Sequence, residues 1–251
     1  MKEAAEQTEA APEPVAAPVG PAALPLTQAA RVLALQRSAG NRAVAQLLAR
    51  ADTTTITKHV REETTTAENV NWDASFDVSF DEDASTPTMW LTIKVKLNPE
   101  DGITEEQVRD FQINVRSRFS LMWGSKFIFH EHRTWPWSDR DWLVRPQVKF
   151  VDSGQHLTVS LHKGKGADNR QNWYIDSPDY THVHEVSHQM GLLDEYADVS
   201  VPNRKVYDDH SIMGDYYKEG MTEATAKARH GERLASIIGP QVDKNLTSKL
   251  R

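Results

Sequence analysis

Residues 182–196 read HVHEVSHQMGLLDEY, and within them His184, Glu185 and His188 form the pattern HExxH. On a helix, residues four positions apart lie one turn apart on the same face, so both imidazoles can bind one metal ion from the same side. Glu185 can contact a water molecule at the metal without being a ligand itself. Because the chain contains 10 histidines, chance could also produce this pattern.

Further features of the sequence favour a metal site over chance. Gly191 lies three residues after His188, where a helix ends easily in a left-handed turn. A chain that reverses at this glycine can bring the carboxylate of Asp194 to the third ligand position. Downstream, residues 211–217 read SIMGDYY and include Met213.

These residues resemble the extended motif of the metzincin metalloproteases, HExxHxxGxxH followed by a methionine turn. Asp194 replaces the third histidine, as in the small neutral proteases of streptomycetes, and GLLDEY and SIMG also resemble peptidase domains of bacterial toxin-like proteins. The resemblance covers roughly residues 71–239. It implies an α/β (α+β) zincin with a twisted, mostly parallel sheet, two long helices and a small C-terminal subdomain that ends in a helix.

The resemblance also implies a role for each matching residue. The zinc ligands would be His184, His188 and Asp194, the general base would be Glu185, and Met213 would pack beneath the metal in a tight turn. Zinc with three protein ligands keeps a position for water and lowers the pKa of that water to about 7. The implied activity is that of a zinc-dependent endopeptidase, in which Glu185 takes the proton of this water and passes it to the leaving amine.

The third ligand has two competitors in the sequence. Glu195 is one residue out of register, and Glu223 would serve if the ligand came from a later helix. Gly191 and Met213 fit the scheme with Asp194 only, so Asp194 is preferred.

A tyrosine after the methionine turn stabilises the oxyanion in some members of the family. Tyr216 or Tyr217 resembles it, but the usual tyrosine comes two residues after the methionine, and Gly214 and Asp215 displace it here. Packing of both tyrosines against the closing helix is the competing interpretation.

Hydrophobic patterns predict the elements around this site. Residues 89–97 alternate as a half-buried strand, residues 72–80 are its hairpin partner, and Thr104 with Gln107 forms a capping box for a helix over 104–122. Further strands are predicted at 126–132, 145–152, 156–163 and 172–176, and a closing helix from the N-cap Thr222 to Gly239.

Three weaker signals accompany these elements. Trp173 and Tyr174, in the last strand, resemble the edge along which such proteases align an extended substrate. His130 and His132 alternate on a strand, which is more typical of exposed strand histidines than of a second metal site. Residues 162–170, HKGKGADNR, are expected to form a solvated loop.

The N-terminal part divides by composition. We expect a disordered Ala/Pro-rich leader at 1–27, a helical hairpin at 28–50, a Thr-rich linker at 51–70 with at most one short strand, and the protease domain at 71–251, divided into subdomains 71–191 and 192–251. Residues 33–48, LALQRSAGNRAVAQLL, resemble a segment of cargo proteins of extracellular contractile injection systems. This implies docking of residues 28–50 on such secretion machinery.

Composition excludes several classes of function. The net charge of -7 argues against non-specific nucleic-acid binding, no apolar run reaches the length of a membrane span, and the absence of cysteine excludes disulfides and thiolate ligands. The acidic N-terminus lacks the positive charge of a secretory signal. The expected protein is a bacterial effector or toxin that is made in the cytoplasm, is exported by a non-Sec route and acts on a protein or peptide. The alternatives are a delivered binding module with a structural zinc site and a zinc hydrolase of non-protein amides.

Overall fold

The computed structural model describes residues 53–62, 70–82, 84–134, 137–214 and 224–251. The leader and the helical hairpin predicted for residues 1–50 lie outside these residues, as do Tyr216, Tyr217 and Glu223. None of the helices in the described ranges combines the length and the apolar character that a membrane span requires.

The described chain is a mixed α/β structure of one sheet and three helices. The elements are β1 (Thr54–Glu62), β2 (Val70–Asp81), β3 (Thr88–Pro99), α1 (Glu105–Trp123), β4 (Phe127–His132), β5 (Arg140–Phe150), β6 (Leu157–His162), β7 (Asn172–Tyr174), α2 (Asp179–Ser187), α3 (Ala228–Ile238) and β8 (Asn245–Leu250). The mixed α and β content of the prediction is therefore confirmed.

The sheet is mixed, so the prediction of a mostly parallel sheet is wrong. Its main path runs β1-β2-β3-β5-β4-β8, and β6 continues beside β3 and pairs with β7. The pairs β3–β5, β3–β6 and β6–β7 are parallel, whereas β1–β2, β2–β3, β4–β5 and β4–β8 are antiparallel. Parallel neighbours need a crossover connection, and between β1 and β7 the described residues contain α1 as the only helix.

The central strand and the long helix agree with the prediction. Strand β3 buries Leu91, Ile93 and Val95 and pairs with β2 as an antiparallel partner. Helix α1 begins after Thr104, whose hydroxyl accepts from the Gln107 amide while the Gln107 side chain accepts from the Thr104 amide. The apolar stripe of α1 is buried at positions 111, 115 and 119.

The Thr-rich segment is not a linker over most of its length. Strand β1 pairs with β2 along all nine residues, from Thr54 opposite Val78 to Glu62 opposite Val70. Ile56 and Val60 of β1 are buried. A strand whose edge is paired and whose apolar side chains are covered belongs to the folded domain, so the predicted boundary at residue 71 is too late.

The C-terminal region differs from the prediction at both ends of the closing helix. Thr225 exchanges backbone hydrogen bonds with His210 and Ile212, and this extended pairing delays the start of α3 to Ala228. The helix ends before Gly239 as predicted. The chain then continues into β8, which pairs with β4, so the subdomain ends in a strand and not in a helix.

Two neighbours fix the position of α2. The indole Nε1 of Trp123 on α1 donates to Ser187 Oγ at 2.9 Å, and the ring of Phe111 contacts that of His182 with centroids 4.8 Å apart. On the other side, Trp72 of β2 donates through Nε1 to the carbonyl oxygen of His188 at 3.1 Å. The segment of the HExxH pattern is therefore held between the long helix and the sheet.

Candidate metal centre

The HExxH residues lie at the end of a buried helix. His184 and Glu185 belong to α2, and a 3-10 turn begins at His188 and ends at Met190. Gly191 then adopts a left-handed conformation with φ of 79°, and its amide donates to the His188 carbonyl at 2.9 Å. The predicted reversal at Gly191 is thus confirmed, and it turns the chain back toward the helix.

The reversal brings three candidate ligands together. Asp194 Oδ1 lies 2.9 Å from His184 Nε2 and 3.3 Å from His188 Nε2, and the two imidazole rings are almost perpendicular with centroids 4.9 Å apart. One ligand atom from each of the three residues lies within 4.8 Å of the other two. These buried side chains form a group that could hold a metal ion.

The spacing of the donor atoms agrees with a metal ion at their centre. Ligand atoms about 2.0–2.1 Å from one zinc ion at tetrahedral angles lie about 3.3 Å from each other. The two distances from the Asp194 carboxylate to the imidazoles bracket this value. The residues therefore fit the ion that the sequence predicts.

Backbone carbonyls orient both imidazoles. His184 Nδ1 donates to the carbonyl oxygen of Ile212 and His188 Nδ1 donates to that of Leu192, each at 2.9 Å. Because Nδ1 carries the proton in both rings, the Nε2 lone pairs point toward Asp194. Such outer hydrogen bonds fix the tautomer and the ring plane of metal-binding histidines.

The charge of the third ligand suits a cation. Burial alone would raise the pKa of Asp194, but the hydrogen bonds with His184 and His188 hold it well below its ordinary value. Burial also lowers the pKa of His188, but the hydrogen bond with Asp194 and the charges of Asp194 and Glu185 outweigh this and raise it. Asp194 is consequently an anion at neutral pH.

Glu185 lies beside the ligands and is itself mostly buried, with 8% of its surface exposed. Its charge acts on His188, Arg170 and Tyr196. Within the described ranges, no hydrogen bond engages its carboxylate. Glu185 is therefore a buried carboxylate near the candidate ligands that is available to another molecule.

Arg204 supports Asp194 from behind, a role that the sequence did not reveal. Its Nη2 lies 3.2 Å from Asp194 Oδ2, and its guanidinium binds Glu62 of β1 through both Nε and Nη2, at 3.1 and 3.0 Å. The side chains of Arg204 and Glu62 are 5% and 6% exposed. This buried bidentate pair fixes the carboxylate oxygen that does not face the imidazoles.

Arg170 corrects the expectation of a solvated loop at 162–170. Its guanidinium lies over the ring of Trp72, 4.4 Å from the centroid. Burial lowers its pKa, and the charges of Glu185, Asp194 and Glu62 partly oppose this effect. The last residue of the loop is thus a half-buried cation within electrostatic reach of the site.

Met213 lies in a tight turn that contacts the centre. The Gly214 amide donates to the Ser211 carbonyl at 3.0 Å, which closes the turn, and Met213 is fully buried within it. Ile212, in the same turn, supplies the carbonyl that orients His184. The turn around Met213 is therefore a structural support of the site.

Glu195 is engaged elsewhere and does not compete for the ligand position. Arg229 donates to it through Nε and Nη2, both at 2.6 Å, and Ser211 Oγ also donates to it. His230 Nε2 lies 3.2 Å from the same carboxylate. Burial would raise the pKa of Glu195, but these partners lower it to about 2. The other competitor, Glu223, lies outside the described residues.

The two substrate-binding residues proposed in β7 have different environments. Trp173 is fully buried among the rings of Phe111 and His182, so it contributes to the core and presents no surface to a substrate. Tyr174 is half-buried and its ring lies 5.1 Å from that of His162. Only Tyr174 keeps an accessible side chain at this edge.

A cavity of about 540 Å³ adjoins Asp194. Its wall combines apolar side chains with several cationic groups. The residues that line it include Leu192, Leu193, Asp194, Val201, Arg204 and Arg233. The cavity is open to a ligand of the size of an amino-acid side chain or larger.

Comparison with protein-family models, curated proteins and solved structures finds no significant match. The function of the chain is therefore argued from the geometry of this centre.

Proposed function

We propose that the chain is a zinc-dependent endopeptidase of metzincin type. The observation that carries the proposal is the convergence of two imidazoles and one carboxylate beside Glu185, a carboxylate that no described residue binds. Two nitrogen donors and one oxygen donor in a buried site are typical of catalytic zinc. When bound, the ion would acidify water and polarise a carbonyl.

Glu185 is the proposed general base. Its carboxylate takes a proton from the attacking water and returns it to the amine of the leaving group. Arg170 is placed to stabilise negative charge that develops beside Glu185, because its half-buried guanidinium already interacts with both Glu185 and Asp194. Tyr216 and Tyr217 stay candidates for the same task.

Two features support a peptide substrate. The cavity beside Asp194 offers a place for one substrate side chain, which a purely structural metal site does not need. Strand β7 pairs with β6 only in the described sheet, which leaves a short edge for an extended peptide. Together with the N-terminal resemblance, these features support a bacterial effector that is delivered through residues 28–50 by a non-Sec route.

The test compares zinc content and cleavage in the native chain and in Glu185→Gln. The matched control is Glu106→Gln on α1, whose side chain is 78% exposed and lies on another element. Each protein is assayed on casein and on a mixed peptide library with mass spectrometry. We expect about one tightly bound zinc in all three proteins, with cleavage lost at least 100-fold in Glu185→Gln only.

The competing function is a delivered binding module with a structural zinc site, which the low exposure of His184 and His188 would also suit. In that case no peptide of the library is cut, and Glu185→Gln changes nothing that the control does not change. Either result would overturn the peptidase proposal while leaving the metal site intact. Cleavage of non-protein amides alone would favour the second alternative.

A further inference from the structure

A second group of metal-binding side chains lies on β4. His130 and His132 alternate along the strand and therefore project from the same face, with ring centroids 4.5 Å apart. Asp139, in the segment that leads to β5, places Oδ2 3.1 Å from His130 Nε2 and 3.8 Å from His132 Nδ1. The three ligand atoms lie within 4.8 Å of one another.

Each of these residues uses its other polar atom in a separate hydrogen bond. His130 Nδ1 lies 2.8 Å from Asp141 Oδ1, His132 Nε2 lies 3.2 Å from Thr247 Oγ1, and Asp139 Oδ1 accepts from the Arg133 amide at 2.9 Å. As a result, one ring nitrogen of each histidine and one carboxylate oxygen face a common point. The carboxylate behind His130 is the arrangement that fixes the tautomer and raises the basicity of metal-bound imidazoles.

We propose that His130, His132 and Asp139 form a second binding site for a divalent transition-metal ion of the zinc class. Imidazole nitrogens and a carboxylate oxygen are the donors that such ions prefer. The site shares no residue with the centre around His184 and does not depend on the proposed peptidase activity. Its side chains are 38%, 45% and 47% exposed, so water can complete the coordination and the affinity is expected to be lower than at the buried centre.

A bound ion would connect three parts of the sheet. His130 and His132 belong to β4, Asp139 precedes β5, and Thr247, which holds His132, belongs to β8. The ion would therefore restrain the connection between β4 and β5 and the pairing of β4 with β8. This role is structural and predicts metal-dependent stability.

A surface ion pair is the competing explanation for the same contacts. His59 provides the matched case, because its Nδ1 lies 2.9 Å from Asp73 Oδ1 on an exposed surface without a second histidine as partner. An ion pair of this kind needs no metal. The two explanations differ in the number of metal ions that the chain binds.

The experiment titrates the metal-free full-length chain with Zn²⁺ by calorimetry and repeats the titration for His132→Ala, Asp139→Asn and the control His59→Ala. We expect two equivalents in the native chain and in the control. Both variants of the cluster should keep the tight equivalent, which reports that the fold is intact, and should weaken the second at least tenfold.

Replacement of Zn²⁺ by Co²⁺ identifies the ligands of the weaker site through its visible absorption, which should disappear in both cluster variants and persist in the control. A native chain that binds a single equivalent would overturn the proposal. A second equivalent that survives both cluster variants unchanged would do the same.

Discussion

His184 Nδ1 donates a hydrogen bond to the carbonyl oxygen of Ile212, 2.9 Å away, so the turn that contains Met213 orients a candidate metal ligand. His188 is oriented in the same way by Leu192, and Asp194 by Arg204. Residues that do not touch the ion therefore set the geometry of all three ligands. Their replacement should change metal affinity as well as stability.

Arg204→Lys tests the support behind Asp194. Lysine keeps the charge but cannot form the bidentate pair with Glu62 and contact Asp194 at the same time. We expect zinc affinity, measured by competition with a chelator, to fall about 10- to 100-fold. Arg145→Lys, at an arginine that lies over the ring of Trp90, is the control and should leave affinity unchanged. Equal affinities in both variants would remove Arg204 from the centre.

Gly191→Ala tests the left-handed turn between His188 and Asp194. An added Cβ would lie 2.9 Å from Ile237 Cδ1, in addition to the backbone strain at φ +79°. Gly154→Ala is the matched control, because Gly154 has φ +69° but nothing within 4 Å of an added Cβ. We expect each variant to lose about 1–2 kcal/mol of unfolding free energy through strain.

The clash should add to this loss in Gly191→Ala alone, and only this variant should bind zinc more weakly. Urea unfolding and a zinc titration measure the two effects. If Gly154→Ala weakened zinc binding to the same extent, the position of Asp194 would not depend on the turn.

Glu195→Gln should lower stability in a pH-dependent way. The pKa of Glu195 is depressed to about 2 from an ordinary value of 4.5, so its charge contributes stability above pH 4.5 that is lost as the pH falls toward 2. We expect the variant to be less stable at pH 7 by on the order of 2–3 kcal/mol. The difference from the native chain should narrow below pH 4.5. Urea unfolding with a chelator present, at pH 7, 4.5 and 3.5, measures this difference.

The control for this measurement is Glu232→Gln, an exposed position on α3. It should differ little from the native chain at every pH. A constant stability gap for Glu195→Gln over the whole range would mean that the buried ion pair with Arg229 does not cause the depressed pKa.

Trp173→Ala distinguishes core packing from substrate binding. Trp173 is fully buried, and removal of a buried tryptophan side chain costs about 3–5 kcal/mol. Trp137, which is 68% exposed, is the control and should change stability by less than about 0.5 kcal/mol. Thermal unfolding compares the two variants. A small loss in Trp173→Ala would return this residue to the list of substrate contacts.

Local signals in the sequence predicted the elements whose pattern is complete within one segment. The alternation around Leu91 and Ile93 specified β3, and the pair Thr104–Gln107 placed the start of α1. His184 and His188 are likewise adjacent in the chain, so helical spacing alone predicts that they approach each other.

Features that depend on distant partners could not be predicted in this way. Arg204 acquires its role from Glu62, 142 residues away, and neither residue is marked by its local sequence. Strand β8 has no more than half-buried side chains, so it lacks the apolar alternation that identifies a strand, and its pairing with β4 defines it. Arg170 reads as loop because only the fold places Trp72 beneath it.

The pairing of β1 with β2 determines where the chain can be shortened. A protein that started at residue 71 would lose Ile56 and Val60 from the interior and would leave Arg204 without Glu62. It would also expose the backbone amides and carbonyls of β2 as an open edge, which favours self-association into aggregates. Removal of residues 1–52 keeps this strand, so the influence of the N-terminal segment is best studied with that shorter deletion.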